Sequence, residues 1–266
     1  MSRTIIITGG SSGIGAAAAR ALRERGETVA ITGRSAETKR LADEIGADAF
    51  LADFAKLRDV RALAAQLLER YPRIDVLANN AGSVIATRQV TEDGHEKTLQ
   101  VNHLGGFLLT MLLRERLEAS NATVINTASR AHRMGHLDLN DLENERNYGE
   151  WRAYGTAKLM NILHAAEINR RFRGVRGVSF HPGVVTTAFA RDGALMTRML
   201  YEAGRFFMVS PEKGADTLVW LATTEPNRDW IPGRYYVKRR ETPVSSQASD
   251  PELARELWEW SERATG

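Results

Sequence analysis

Across the first two thirds of the chain, short runs dense in Ile, Val, Ala and Thr alternate with longer runs whose apolar residues recur every three or four positions. This patterning predicts strands at 4–8, 28–32, 48–52, 75–79, 123–127 and 175–181, and helices at 16–25, 36–45, 57–70, 98–117 and 151–172. Strands that are apolar almost throughout are buried on both faces, and parallel neighbours need a crossover such as a helix between them. The expected fold class is therefore α/β, a doubly wound parallel sheet of about seven strands with helices on both faces.

The last third has a different character. Six of the seven prolines lie at or beyond position 182, so loops are expected to dominate there. Two helix starts are still legible: Ser210-Pro211-Glu212 and Asp250-Pro251-Glu252 each offer a capping side chain, a proline at the first helical position and an acid in the first turn. Arg170, Arg171, Arg173 and Arg176 close a helical pattern, where cations favour the helix dipole. No repeat, linker or low-complexity tract divides the chain, which reads as one domain over 1–266.

Candidate chemistry begins directly after the first strand, with Thr8-Gly9-Gly10-Ser11-Ser12-Gly13-Ile14-Gly15 and then an Ala-rich helix. Glycine permits a tight turn and lets backbone N–H groups approach a pyrophosphate at the positive end of a helix. The spacing Gly-x-x-x-Gly-x-Gly departs from the Gly-x-Gly-x-x-Gly fingerprint. Farther along, Tyr154 and Lys158 stand four apart on a predicted helix, so both project from one face with a rise of about 6 Å. A neighbouring ammonium lowers a phenol pKa, ordinarily near 10, by about 1–3 units. Such a phenol suits proton donation to an alkoxide.

Together these residues resemble the short-chain dehydrogenase/reductase family. The resemblance rests on Thr8-Gly9-x-x-x-Gly13-Ile14-Gly15, Asn79-Asn80-Ala81-Gly82 after the fourth strand, and Ser129 after the fifth. It continues through Tyr154-Gly155-Thr156-Ala157-Lys158 to Pro182-Gly183 and Thr187 after the sixth, and so spans nearly the whole chain. It implies a Rossmann dinucleotide-binding and catalytic domain in which Ser129 hydrogen-bonds the substrate oxygen, Tyr154 is the acid and base, and Lys158 holds the nicotinamide ribose. By the same resemblance Asn102 joins a proton relay, although a helix asparagine is more often merely packed or capping. The implied cofactor contacts are Gly9, Ser11, Ser12, Gly13, Ile14, Gly15, Asn80, Ala81, Gly82, Tyr154, Lys158, Pro182, Gly183, Val185 and Thr187. Asp53 and Phe54 resemble the adenine-contact positions, with an exposed acid and a core aromatic as the plainer alternative.

The second strand ends Thr32-Gly33-Arg34-Ser35, where an NAD enzyme would place an acid for the ribose hydroxyls. A guanidinium there suits a 2′-phosphate through paired, charge-assisted hydrogen bonds. NADP(H) is the expected cofactor and Arg34 its selector.

The long interval between Ser129 and Tyr154 contains an extra segment, 131–142. With Val101-Asn102-His103-Leu104-Gly105 and His181-Pro182-Gly183-Val184-Val185, it resembles the retinol dehydrogenase-like branch. Two features depart from that branch: Gly106 stands where a bulkier residue is expected, and only Met1-Ser2-Arg3-Thr4 precedes the first apolar run. The expected substrate is a medium to large apolar ketone or aldehyde, or the matching alcohol. Residues 188–209, rich in Phe, Met and Leu, suggest a substrate lid; core filling or a subunit contact would explain the same composition. His132 and His136 are four apart without a third ligand, so no metal is expected.

Composition narrows the partners. The chain of 266 residues carries 36 Lys+Arg against 33 Asp+Glu, a net charge of +3. The basic residues are 30 Arg and 6 Lys, interleaved with acids, so nucleic acid is not expected. With no Cys, disulfides, thiolate metal sites and a cysteine nucleophile are excluded. No stretch reaches about eighteen apolar residues, so no membrane span and a cytoplasmic location are expected, with homo-oligomers left open. A non-catalytic NADP(H)-binding sensor of the same fold is the alternative, against which intact Ser129, Tyr154 and Lys158 argue. A sugar-nucleotide epimerase or dehydratase is disfavoured by the three-residue gap after Gly9.

Overall fold

Ile5, Ile6 and Ile7 of β1 (Thr4–Ile7) are all fully buried, and they face opposite ways. Ile6 joins Ala30, Leu77 and Val124 in one core, whereas Ile5 and Ile7 join Val29, Ile31, Val76, Ala78 and Val178 in another. Successive side chains of a strand point to opposite faces, so an uninterrupted apolar strand requires a sheet covered on both sides. Such a sheet forms in the structure, a computed structural model that describes residues 2–183, 185 and 209–266.

The remaining strands are β2 (Thr28–Gly33), β3 (Asp48–Leu51), β4 (Val76–Asn79), β5 (Thr123–Thr127), β6 (Arg176–His181), β7 (Tyr235–Val237) and β8 (Arg240–Glu241). Their order is β3-β2-β1-β4-β5-β6-β7-β8. The first seven pair in parallel, and the short β8 closes antiparallel against β7 through Lys238 and Arg239, both at positive φ. The order reverses between β1 and β4, and the crevice at the carboxyl ends of strands beside such a switch point is where doubly wound sheets bind ligands.

One face is covered by α1 (Gly13–Glu24), α2 (Ala36–Ile45) and the helix Pro211–Thr223; α3 (Leu57–Arg70) packs on the other. The helix predicted over 98–117 is broken. A single turn, α4 (Lys97–Leu99), is capped by the Glu96 carboxylate, which accepts from the N–H groups of Thr98 (2.6 Å) and Leu99 (2.8 Å). It runs into a π turn, Gln100–Leu104, closed by the Gly105 N–H on the Gln100 carbonyl. Then α5 (Gly105–Leu112) and α6 (Arg114–Ser120) follow, separated by Leu113 at φ −92° and ψ 0°. Apolar periodicity runs on through these breaks, so pattern alone reports one helix.

Tertiary crowding explains the two glycines there. A β-carbon at Gly105 would stand 2.6 Å from the Phe54 ring, and one at Gly106 3.2 Å from the Asn79 amide carbon. Gly106 leaves room for Asn79, whose Nδ2 donates to Thr110 Oγ1 and Asn126 Oδ1 (3.0 Å each).

Beyond α6, the long α7 (Glu150–Arg171) packs against the sheet and against the C-terminal helix Pro251–Thr265. The two predicted caps form: Ser210 Oγ accepts from the Lys213 N–H, and Asp250 Oδ1 from those of Glu252 and Leu253. Arg170 and Arg171 stand in the last turn of α7, as expected, while Arg173 and Arg176 lie beyond its end. Arg170 and Arg171 pair with Glu167 (2.7 Å each), and Arg176 donates to the carbonyls of Asn121 and Gly174. Arg114 also reaches the α7 end, through the Arg171 carbonyl (2.8 Å). Among the described residues no helix is long and apolar enough to cross a membrane.

Candidate active site

The chain leaves β1 through Thr8, whose Oγ1 donates to the Ala78 carbonyl (3.3 Å) and accepts from the N–H groups of Asn80 and Ala81 (2.9 Å each). A loop fastened this closely has no room for a side chain at Gly9 or Gly15. Gly9 adopts φ +63°, and a β-carbon there would meet the Ala81 Cα at 2.9 Å; one on Gly15 would meet the Gly9 carbonyl at 2.3 Å. Asn80 completes the clasp, its Nδ2 donating to the Thr8 carbonyl (3.0 Å) and its Oδ1 accepting from Thr127 Oγ1 (3.2 Å). Ser12, the N-cap of α1, makes no side-chain cap hydrogen bond. The first N–H groups of that helix are thus left without a capping side chain, as an anion-binding helix start requires.

One cavity of about 320 Å³ is lined by Gly9, Ser11, Ser12, Gly13, Ile14, Arg34, Asp53, Phe54, Asn80, Ala81, Gly82, Ser129, Tyr154, Lys158, Pro182, Gly183 and Val185. All of these are singled out by the sequence. Gly15 and Asn102 do not line it. Gly15 lies under the loop, and the Asn102 amide lies against Gly82. Thr187 and residues 188–208 of the suggested lid lie outside the described residues; Val209 forms an isolated bridge with Val185. Arg34 is exposed, and among the described residues it makes no ion pair. Asp53 accepts from the Ala55 N–H (3.0 Å), and Phe54 serves both cavity and core, packed with Leu57 and Phe107.

Sequence reasoning missed Ser83, Ile85, Lys97, Val101, Trp151 and His181, which also line the cavity. Trp151 had a readable signal, since it precedes Tyr154 by three on the same helix; the two rings meet edge-on at 6.0 Å. Ser83 and Ile85 come from the chain after β4, Lys97 from α4, Val101 from the π turn and His181 from the end of β6, a convergence that no local pattern reveals.

Ser129 follows β5 and opens a 3₁₀ turn, Arg130–Arg133, its Oγ accepting from the Ala131 N–H (3.1 Å). His132 folds back on it, Nδ1 lying 2.6 Å from the Ser129 carbonyl, while Nε2 accepts from the Ser245 N–H (3.3 Å). Burial lowers the His132 pKa, which favours a neutral ring donating from Nδ1. Both nitrogens are then engaged, and among the described residues no three His, Cys, Asp or Glu are placed to hold a metal ion.

The segment after Ser129 docks on α7 through glycine. A β-carbon on Gly155 would stand 2.5 Å from the Ala131 carbonyl, and one on Gly135 would stand 2.4 Å from the Gly155 backbone. Thr156 Oγ1 donates to the His136 carbonyl and accepts from its N–H (3.1 Å each). These contacts fix the helical turn that carries Tyr154 and Lys158.

Lys158 is 2% exposed, and its Nζ lies 5.4 Å from the Tyr154 ring centroid. Burial drives its pKa down to about 7. Asn102 donates from Nδ2 to the carbonyls of Ser83 and Thr98 (2.9 Å each), while its Oδ1 is buried with no hydrogen-bond partner among the described residues. A β-carbon on Gly82 would stand 2.4 Å from that Oδ1 and 3.0 Å from Lys158 Nζ. Amide oxygen and ammonium therefore flank one spot. A glycine-rich loop, a buried ammonium and an exposed guanidinium just after β2 fit the diphosphate, ribose hydroxyls and 2′-phosphate of a nicotinamide dinucleotide.

Comparison with known proteins agrees with this geometry. Residues 3–195 match the family profile described as short chain dehydrogenase. The chain is 47% identical over 272 residues to the "Putative daunorubicin C-13 ketoreductase DnrU" of Streptomyces sp. (strain C5), spanning 99% of this chain and 93% of that one. It is 36% identical over 281 residues to retinol dehydrogenase 13 of Homo sapiens, spanning 99% and 85%. The crystal structure of an uncharacterized protein from Mycobacterium paratuberculosis, 30% identical, superposes with a TM-score of 0.79 over 99% of this chain and 93% of that one. The chain belongs to the short-chain dehydrogenase/reductase family and is retinol dehydrogenase-like.

Proposed function

We propose that this family member is an NADP(H)-dependent oxidoreductase that interconverts a ketone or aldehyde with its alcohol on a medium to large apolar substrate. The observation that supports it is that Ser129, Tyr154 and Lys158 line the same cavity as the glycine loop and Arg34. In this reading Gly9, Gly13 and the start of α1 hold the diphosphate, Arg34 the 2′-phosphate and Lys158 the nicotinamide ribose. The bound nicotinamide supplies or accepts the hydride.

The protein's own residues manage the oxygen and its proton. Ser129 Oγ and the Tyr154 phenol donate to the carbonyl oxygen as negative charge builds on it. Tyr154 then transfers its proton to that oxygen, completing the alcohol and leaving a phenolate. The nearby Lys158 ammonium favours the phenolate, which regains its proton from solvent, so each carbonyl reduced consumes one proton. Oxidation of the alcohol runs the same steps in reverse. Ribose hydroxyls would give the buried ammonium the acceptors that burial denies it, keeping it charged at working pH.

Ile85, Val101 and Trp151 are apolar members of the lining, and the Trp151 ring meets Tyr154 edge-on, which favours an apolar substrate. The names of the Streptomyces and human relatives add daunorubicin and retinol to the candidates. The test is consumption of NADPH and of NADH with daunorubicin and with aromatic, polycyclic and aliphatic ketones and aldehydes, and NADP reduction with retinol. Turnover of bulky apolar members with NADPH preferred is expected. No turnover across the panel despite measured NADPH binding would favour the sensor alternative.

A further inference from the structure

We propose that Asn161 is a positioning residue of this site, bracketing the π turn that carries Asn102 against the end of β5 and so holding Lys158 in register with Ser129 and Tyr154. The inference rests on the roles proposed above for those residues. Asn161 lies on α7 three residues beyond Lys158 and is 4% exposed. Its Nδ2 carries two N–H groups, and both are used, one on the Asn102 carbonyl (3.0 Å) and one on the Thr127 carbonyl (3.1 Å). Its Oδ1 lies 3.3 Å from His103 Nδ1, and its backbone carbonyl accepts from Asn126 Nδ2 (3.1 Å).

Each partner sits beside a residue of the site. Asn102 bears the amide oxygen that flanks Gly82 together with Lys158 Nζ, and Thr127 precedes Ser129 by two. A π turn departs from α-helical register, so a bond from another element fixes where the Asn102 carbonyl stands. Only a carboxamide offers two donors and an acceptor on so short a stem. Aspartate would bring no donor, and leucine would take both donors away from the two carbonyls.

The surroundings make Lys158 the group whose titration reports on this bracket. Among the described residues, the titratable groups facing it are Tyr154 on its own helix and His103 from the π turn, with His164 behind His103. Burial lowers both histidines, His103 to about 4, so they are neutral near pH 7. Neither β5 nor residues 80–83 contribute a titratable side chain. The far end of the chain of bonds is Ser261, whose Oγ lies 3.0 Å from His103 Nε2 but which bonds to neither Asn102 nor Thr127.

The test uses the full chain without cofactor, unfolded at several pH values between about 7 and 9.5 as the parent, Asn161→Ala, Asn161→Ser and Ser261→Ala, each with and without Lys158→Met. In the parent, Lys158 makes the unfolding constant fall by up to about tenfold per pH unit above its pKa. Loss of the bracket admits water to the ammonium, so Asn161→Ala should reduce that Lys158-dependent slope by about half or more. Asn161→Ser, which keeps one donor and carries the test if the alanine variant does not fold, should fall between. Ser261→Ala should match the parent. Displacement of about 1 Å can lower turnover roughly 100-fold; for Asn161→Ala, NADPH affinity and the kcat of any ketone turned over should each fall at least about tenfold. Equal slopes and equal NADPH affinities for Asn161→Ala and Ser261→Ala would overturn the proposal and leave Asn161 a packing residue. A parent that turns over no ketone would count against the function proposed above, because the slope is read without cofactor or substrate.

Discussion

Replacing Lys158 by methionine keeps the length of the side chain and removes its charge, which isolates what burial does to the ammonium. The lysine is 2% exposed, and burial lowers its pKa from the usual 10.5 to about 7. Between those values the unfolded chain holds a proton that the folded protein has shed. Stability therefore rises with pH across that window, by about 1.4 kcal/mol per unit where the difference is a full proton. Below about pH 7 both states are charged, and the folded state carries the whole desolvation penalty, on the order of 3–5 kcal/mol for a shift of that size. Lys158→Met should then be more stable than the parent by a few kcal/mol at the acid end, and the gap should narrow by roughly 2–3 kcal/mol between pH 7 and 9. The assay is urea unfolding at fixed ionic strength without cofactor. Tyr71, Tyr148 and Tyr235 are pushed upward chiefly by burial. Their ionisation in the unfolded chain lowers stability only above about pH 10 and is common to both proteins. Parallel stability curves for the two proteins would refute the reasoning. The same substitution should abolish most turnover, a case of stability gained by dismantling a strained site.

Three further outcomes can be checked. Tyr154→Phe should lower kcat by about 10²–10⁴ while NADPH binding, read by fluorescence titration, changes little; activity equal to the parent's would require another acid. Arg34→Asp should swing the ratio of kcat/KM for NADPH over NADH by about tenfold or more, since hydrogen bonds to charged groups contribute roughly 1.5–3 kcal/mol; an unchanged ratio would remove Arg34 as selector. Gly155→Ala forces a β-carbon to within 2.5 Å of the Ala131 carbonyl and should destabilise by about 1–3 kcal/mol, a loss that an unchanged melting temperature would contradict.

What could be read from the sequence is what the sequence states locally. Ile5, Ile6 and Ile7 declare a strand buried on two faces, Ser210 and Asp250 declare helix starts, and the glycines from Gly9 to Gly15 declare a tight turn. All of these depend on a few consecutive residues. The break at Gln100–Leu104 escapes such a reading because its apolar spacing is helical throughout; it arises where Phe54 and Asn79 press on Gly105 and Gly106. His132 escapes for the opposite reason. Its spacing from His136 suggests a shared role, yet the 3₁₀ turn ends at Arg133 and carries the two rings to different places, one under the Ser129 carbonyl and the other exposed.

Helix α7 shows how far such signals reach. Tyr154, Lys158, Asn161 and His164 recur at helical spacing, and all four are buried, so the polar stripe is visible in the sequence as a face that solvent does not explain. The stripe names the helix face but not its partners, which depend on β4, β5 and the π turn meeting beneath it. There Asn79, Asn126 and Asn161 pass hydrogen bonds from strand to strand to helix, and His103 extends them to Ser261 in the C-terminal helix. That helix is held at its end as well, by His95 Nε2 on the Ala264 carbonyl (2.9 Å) and by Arg61 on the Thr265 carbonyl. A buried network of neutral amides and imidazoles supplies directional bonds without placing a second charge beside Lys158. A carboxylate in place of Asn102, whose amide flanks Gly82 together with the ammonium, would compete with Tyr154 for the field of Lys158, which gives a physical reason for asparagine rather than aspartate there.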